Sequence, residues 1–410
     1  MGRHMSAEAR VELVRALGAR YARAGRGEKA RILDEFVSVT GYHRKHAIRA
    51  LRRAGRRSGS EAEPRLGWRV YDEAVRQALI VAWEATDRLC GKRLKAALPG
   101  LLEAMERHGH LRIDSDLRRL VLSASAATID RLLAPARAAA GGGRRRRRWS
   151  STSVRAQVPV RTAADWCNPT PGYVEADFVA HCGGLMRGRF LHTLVLTDVA
   201  TGWTECIALL TREQSLVVKA LTLAAGQLPF PLKGFDTDND SAFINEVVLD
   251  YCRRRGMEFT RSRPGPKNDQ AWVEQKNGAV VRRAVGYERF EGVRAVDAMR
   301  RLFQSMRLFV NYFQPSFKLL KKEREGARVR KTYAPPATPC DRVLSSPHVS
   351  EERKSVLRQE RANLDPIHLL KMMRDSQEEL ATLTNAQEVT AGETALTTDT
   401  DEFLAALPNL

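Results

Sequence analysis

Apolar positions near the N-terminus recur at three- and four-residue intervals, the spacing of helices that bury one face. "VELVRALGARYARA" lines up Val11, Val14, Leu17 and Tyr21. "EKARILDEFVSVTGYHRKHAIRALRRAGRR" predicts a helix, a turn at Thr40-Gly41 and a second helix. Ile32, Leu33 and Phe36 fall on the inner face of the first; Ala47, Ile48 and Leu51 fall on the inner face of the second. Arg44, Lys45, Arg49, Arg52 and Arg53 are left for the outside. This is the layout of a helix-turn-helix with a basic helix suited to the DNA major groove. It is equally the layout of a plain helical hairpin with a solvated face.

A polar linker, "SGSEAEPRL", leads to a second helical block with an expected break near Pro99-Gly100. Its last helix, in "LSASAATIDRLLAPAR", has Ser123 or Ser125 as cap and Ile129, Leu132 and Leu133 as its buried stripe. From residue 172 the pattern changes. "GYVEADFVA", "FLHTLVLTDVA" and "GWTECIALL" read as strands joined by hairpins; helices and strands then alternate through "REQSLVVKALTLAAGQL", "FPLKGFDTD", "SAFINEVVLDYCRRRG", "MEFTRS" and "QAWVEQKNGAVVRRAVGY". Three hairpin-connected strands followed by alternation predict a mixed α/β core with an antiparallel start. No GxxxxGK[ST] or GxGxxG phosphate loop accompanies it, so nucleotide hydrolysis has no support.

The expected organisation is a helix-turn-helix DNA-binding domain at 6–57, a second helical, helix-turn-helix-like DNA-binding domain at 67–137, an Arg-rich linker at 138–164 and a mixed α/β core at 165–292. A helical and basic extension at 293–347, a helical segment at 348–376 and an acidic, disordered tail at 377–410 complete it.

Charge sharpens the picture. The chain of 410 residues carries a formal net charge of +20, yet the segment from Asp375 to Leu410 holds eight acidic residues and no basic ones. Residues 1–60 hold 15 Lys and Arg against 5 Asp and Glu, and Arg144, Arg145, Arg146, Arg147 and Arg148 form an unbroken run. Such clustering implies a polyanionic partner. Nucleic acid suits it better than a membrane surface, because the sequence has no long amphipathic helix with a bulky apolar face, and no apolar run reaches the roughly 18 residues of a spanning helix. Six cysteines without a CxxC pair fit free thiols in a reducing compartment, and cytoplasmic localisation is expected.

Against that basic background, "GFDTDNDSAFIN" gathers Asp236, Asp238 and Asp240. Asp177 sits mid-strand in "VEADFV", with Glu175 on the same face, and Glu274 lies on the helix "QAWVEQKN". A strand aspartate, a strand-end aspartate and a helix glutamate can converge as oxygen ligands for hard divalent cations. Loop carboxylates also commonly cap helices, and Asn239 and Asp240 are placed to cap one beginning near Ser241.

"VEADFVAHCGG", "LTDVATGWTE", "FDTDNDSAFIN" and "RSRPGPKNDQAWVEQKNGAVVRR" resemble the integrase core of D,D-35-E transposases and retroviral integrases, above all bacterial insertion-sequence transposases. The resemblance covers roughly 165–345 in sequence and the N-terminal part by architecture. Thirty-five residues separate Asp238 from Glu274, the family interval; Asp236 would give 37 and Asp240 would give 33. The resemblance implies an RNase H-like fold and two Mg²⁺ or Mn²⁺ ions held by Asp177, Asp238 and Glu274. It implies hydrolysis at the 3′ ends of a mobile element, joining of those ends to target DNA, and a homo-oligomeric synaptic complex. Lys267, Asn268, Gln270, Lys276 and Asn277 match the family's DNA-facing segment around the glutamate. In the usual D-N-G-(S/T)-E-F pattern, Asp240 replaces the glycine and Ala242 the glutamate. The retroviral zinc-binding N-terminal domain is absent. Two other readings stay open: a non-catalytic DNA-binding regulator on a re-used core, and a ribonuclease or resolvase on the same fold. For the acidic tail, an accessory protein is a candidate partner beside simple solvation.

Overall fold

A computed structural model describes residues 7–57, 71–140, 160–161, 169–262, 270–325 and 328–389. The polar linker, the arginine run and the end of the acidic tail lie outside these residues. The chain divides into two compact units, Met1–Val70 and Tyr71–Leu410.

The first unit is helical: α1 (Ala7–Arg23), α2 (Arg26–Thr40) and α3 (Arg44–Arg57). Tyr21, Ile32, Leu33, Phe36, Ala47 and Leu51 form its core. Val11, expected on the inner face, is exposed, because that face closes only from Leu13 onward. The turn after α2 is made by Gly41, whose φ of 69° is the left-handed conformation that ends a helix without a Cβ penalty. Arg44, Lys45, Arg49 and Arg52 are exposed, as the periodicity predicts, and Arg44 pairs with Asp34.

The second unit begins with α4 (Glu73–Ala85), α5 (Gly91–Arg107), α6 (Ser115–Ser123), α7 (Ala126–Leu132) and α8 (Ala134–Ala139). The break falls at 86–90, not at Pro99, which α5 runs through. Pro99 lies on the exposed side of the helix, while Leu94, Leu98, Leu101 and Leu102 hold the apolar stripe across it. Ser125 is the cap of α7, accepting from the Thr128 N–H at 3.2 Å. This helical block packs on later parts of the same unit: Gln314 Nε2 donates to the Thr86 carbonyl at 2.7 Å, and His110 meets Asp365 at 2.7 Å.

A six-stranded sheet comes next, built from β1 (Val160–Arg161), β2 (Tyr173–His181), β3 (Leu191–Asp198), β4 (Thr204–Leu209), β5 (Gly234–Thr237) and β6 (Glu258–Ser262). Its order is β1-β6-β5-β2-β3-β4. The β2-β3 and β3-β4 pairs are antiparallel, and the β2-β5, β5-β6 and β1-β6 pairs are parallel. The three antiparallel strands and the alternation of helices and strands after them were expected; β1, inside the expected linker, was not. Helices α9 (Gln214–Gln227) and α10 (Glu246–Arg254) connect the strands from β4 to β6. The α10 helix begins five residues later than the pattern suggests, because Asn245 caps it and 241–245 form turns.

After β6 come α11 (Ala271–Lys276), a π-helical turn (Asn277–Val281) and α12 (Arg282–Val285). The long α13 (Gly292–Phe313), the hairpin β7 (Leu319–Glu325) and β8 (Arg328–Tyr333), α14 (Pro339–Leu344), α15 (Glu351–Asn363) and α16 (Pro366–Val389) complete the described chain. The basic segment expected to be extended or a tiny sheet is thus the β7-β8 hairpin. Helix α16 extends past residue 376, where an acidic tail was expected, because Leu380 is buried and Glu379 pairs with Arg301. No helix is long and apolar enough to cross a membrane among the described residues.

Candidate active site

Strand register decides which carboxylates meet. Glu175 of β2 is paired with Asp236 of β5, and that parallel pairing ends at Ala176 and Thr237. Residues two apart share a face of a strand. Asp177 therefore lies just past the last residue of β2 paired with β5, beside Asp238, which follows the end of β5. The result is two layers of acids on one sheet face, Glu175 with Asp236 in one, and mid-strand Asp177 with Asp238, just past the end of β5, in the other.

The outer pair is close enough to feel each other's charge. Burial, with Asp238 and Glu274 adding negative field, pushes Asp177 up to about 8; hydrogen bonds from the Phe178 N–H (2.7 Å) and Asn277 Nδ2 (2.6 Å) oppose the shift. Burial also raises Asp238, to about 6, although its Oδ1 accepts the Asp240 N–H at 2.9 Å and Arg212 stands near. Two carboxylates that resist ionisation together are what a bound cation relieves.

The inner pair positions the helix above. Glu175 Oε2 accepts the N–H groups of Trp272 and Val273, each at 3.0 Å. These are first-turn donors of α11, which have no partner within the helix. The fully buried carboxylate of Glu175 thus ties the start of α11 to β2. Glu274 follows in the same first turn, and Asn277 reaches Asp177 from the π-helical turn. π-Turns recur at functional sites because they re-aim a side chain inside an otherwise regular helix. Asp236 accepts from Thr260 Oγ1 at 2.5 Å and belongs to the sheet interior.

Asp240 pairs with Arg212 through Oδ2, and its Oδ1 accepts the Ala242 N–H at 2.9 Å. It shapes a turn and does not cap α10. A cleft of about 710 Å³, lined by Arg212, Ser215, Asp240, Ser241 and Val247 among others, opens beside it.

The residues expected to face DNA separate into three groups. Arg44, Lys45, Arg49 and Arg52 are exposed on α3 in the first unit. The side chain of Arg53, the run Arg144–Arg148, and Lys267 and Asn268 lie outside the described residues. Gln270 and Lys276 are buried, against expectation: Gln270 Nε2 faces the Ala176 carbonyl at 3.5 Å, and Lys276 turns inward. Burial, with the charges of Arg342 and Arg93, pulls the Lys276 ammonium down to about 7. Asn277 holds Asp177. The roles of Glu175 and Arg212 were not anticipated; the one sequence signal for Glu175 is its place two residues before Asp177.

Oxygen donors alone make up Asp177, Asp238 and Glu274, so the set fits Mg²⁺ or Mn²⁺ and not a soft metal. Among the described residues no three His, Cys, Asp or Glu side chains stand in a ligand arrangement, and Glu274 is exposed. Asp177 and Asp238 are the members of that set that the described structure brings together.

An integrase core domain model matches residues 170–267. The chain is 56% identical over 345 residues to the uncharacterized protein y4rM of Sinorhizobium fredii, covering 83% of this chain and 97% of that one. It is similar to the catalytic core domain of HTLV-2 integrase, solved in complex with magnesium, with a TM-score of 0.28 and 15% identity over 36% of this chain and 92% of that one. It is also similar to a chain of a simian T-cell lymphotropic virus intasome, at a TM-score of 0.28 and 16% identity, over 36% of this chain and 51% of that one. The chain belongs to the family of y4rM, and its residues 170–267 form an integrase core domain of the kind shared by D,D-35-E transposases and retroviral integrases.

Proposed function

We propose that this protein is a DNA transposase that cuts the 3′ ends of its own element and joins them to target DNA. The observation that carries the reading is the Asp177–Asp238 pair on adjacent parallel strands, where β5 ends, with Glu274 on the following helix at the 35-residue interval.

Asp177, Asp238 and Glu274 would hold two divalent cations. Such ions, when bound, activate an attacking oxygen and stabilise a leaving one in an in-line phosphoryl displacement. The chain's own groups prepare the place. Asn277 fixes one oxygen of Asp177 and leaves its other oxygen on the Phe178 N–H. Glu175 anchors the helix, and Arg212 offsets the extra charge of Asp240. In the first step water attacks the phosphodiester at the element's end and frees a 3′-OH. In the second that 3′-OH attacks a target phosphodiester and releases a target 3′-OH. No protein nucleophile or nucleotide is consumed.

Helices α2 and α3 act as the helix-turn-helix that reads the element's ends, with Arg44, Lys45, Arg49, Arg52 and Arg53 toward the DNA. The run Arg144–Arg148 follows the phosphate backbone, and each phosphate neutralised steepens the salt dependence by about 0.9. Two ends must be brought together, so a homo-oligomer on DNA in the cytoplasm is the working form.

The test is strand transfer by the full chain, given a labelled duplex bearing the terminal repeat that flanks the gene. Joined product in Mg²⁺ or Mn²⁺, and none in EDTA, is expected. Specific binding without product in either metal would favour a non-catalytic DNA-binding protein.

A further inference from the structure

The loop joining β2 to β3, residues 182–190, carries the two most exposed large apolar side chains among the described residues, Leu185 at 71% and Met186 at 74%. Exposure of this degree at a loop tip usually goes with mobility. Here one arginine holds the loop in shape. Arg289 Nη1 donates to the carbonyls of Cys182 (3.3 Å) and Leu185 (3.0 Å), and Nη2 to those of Arg187 (2.9 Å) and Arg189 (2.6 Å). Glu291 pairs with Arg289, and its guanidinium lies over the Phe190 ring at 5.5 Å from the centroid. Gly183 and Gly188, at φ of 59° and 82°, let the backbone wrap this closely around Arg289. The loop is built, and what it builds is an apolar tip followed by two exposed cations, Arg187 and Arg189.

We infer that Leu185 and Met186 form a wedge that enters a base step of duplex DNA, with Arg187 and Arg189 on the flanking phosphates. The inference rests on the DNA-acting reading of the core. Size favours DNA over a protein partner. Two side chains are far short of the roughly 800 Å² per partner that a stable protein interface buries, but apolar wedges of one or two residues suffice to unstack a base step and kink the duplex. Charge favours it too, since the flanking pair is cationic. So does position. The end of β2, His181, is four residues beyond Asp177, or about 13 Å at strand rise. The loop therefore begins about four phosphate spacings from the acidic pair, within reach of the same duplex.

The experiment uses the full chain and a duplex of about 30 base pairs with a central run of flexible TpA steps and a fluorophore at each end. Binding is read by anisotropy and bending by energy transfer. Wild type is expected to bind and raise the transfer. L185S/M186S is expected to bind within about twofold of wild type yet lose most of the bending signal. R187A/R189A is expected to bind several-fold more weakly, with a salt slope shallower by about 2. Bending by L185S/M186S equal to wild type overturns the wedge and leaves the transposase reading standing, as does binding with no bending by either protein. If wild type fails to bind duplex DNA at all, both fall. If L185S/M186S instead lowers the mass of the free protein, the tip is a contact between copies and the wedge is overturned.

Discussion

Asp240 stands where the superfamily's pattern has glycine, and it brings a third carboxylate within two residues of Asp238. Its ion pair with Arg212 offsets that charge, and the same arginine lowers the cost of ionising Asp238. Both partners are partly exposed, so solvent screens the pair and its coupling is about 1 kcal/mol, or roughly fivefold in rate. Replacing Arg212 by alanine alone is therefore expected to slow strand transfer about fivefold or more, and adding Asp240→Gly to recover most of the loss. Additive effects in that double-mutant cycle would show that the two side chains act independently. At this scale the sequence was partly legible. The 35-residue interval picks Asp238 out of three aspartates. It does not reveal that Asp236 belongs to the sheet interior, that Arg212 meets Asp240 from 28 positions away, or that Lys276 turns inward. Those outcomes depend on contacts across elements, to which local pattern is blind.

Helix α11 is short, and its place over the sheet depends on one carboxylate more than on its own propensity. Glu175 receives two of its first-turn N–H groups, and without an acceptor those buried donors would each cost about 1–3 kcal/mol. Glu175→Gln keeps an acceptor oxygen and is expected to retain activity within about tenfold, whereas Glu175→Leu, similar in bulk but with no acceptor, is expected to lose at least about a hundredfold. If thermal unfolding shows both variants folded and their activities are equal, the anchoring role is wrong. Much of the element pattern could be read beforehand: the strands β2 to β6, the turn at Gly41 and the Ser125 cap are local signals. The π-helical turn at Asn277 was not legible, because "NGAVVRR" has ordinary helical periodicity. The continuity of α5 through Pro99 was hidden too, since it rests on the packing of Leu94, Leu98, Leu101 and Leu102 across an exposed proline, which local propensity does not register.

At the scale of the molecule, the second helical block shares a compact unit with the sheet and with α13 and α16. Composition and linkers suggested a separate helical domain at 67–137; docking through Gln314, Thr86, His110 and Asp365 is long-range and has no local signature. The unit is tied internally by a buried acid, Glu205 of β4, which accepts from Trp203 Nε1 at 2.7 Å and Arg307 Nε at 2.9 Å. Burial outweighs Arg307 and pushes Glu205 up to about 7 from an ordinary 4.5. The folded state therefore holds this proton more firmly than the unfolded one. Its contribution to stability is complete below about pH 4.5 and is lost as pH rises toward 7. Urea midpoints of wild type and Glu205→Gln are expected to diverge across that window, with wild type losing on the order of 3 kcal/mol relative to the variant. Parallel curves would mean that Glu205 ionises as freely folded as unfolded.

The central claim is that Asp238, and not its acidic neighbour Asp240, serves the chemistry. The direct measurement is Mg²⁺-dependent strand transfer of a labelled terminal-repeat duplex by wild type, Asp238→Asn and Asp240→Asn, each shown to bind the duplex equally. Asp238→Asn is predicted to form no detectable joined product, and Asp240→Asn to stay within about tenfold of wild type. Product from Asp238→Asn equal to that of wild type would contradict the account.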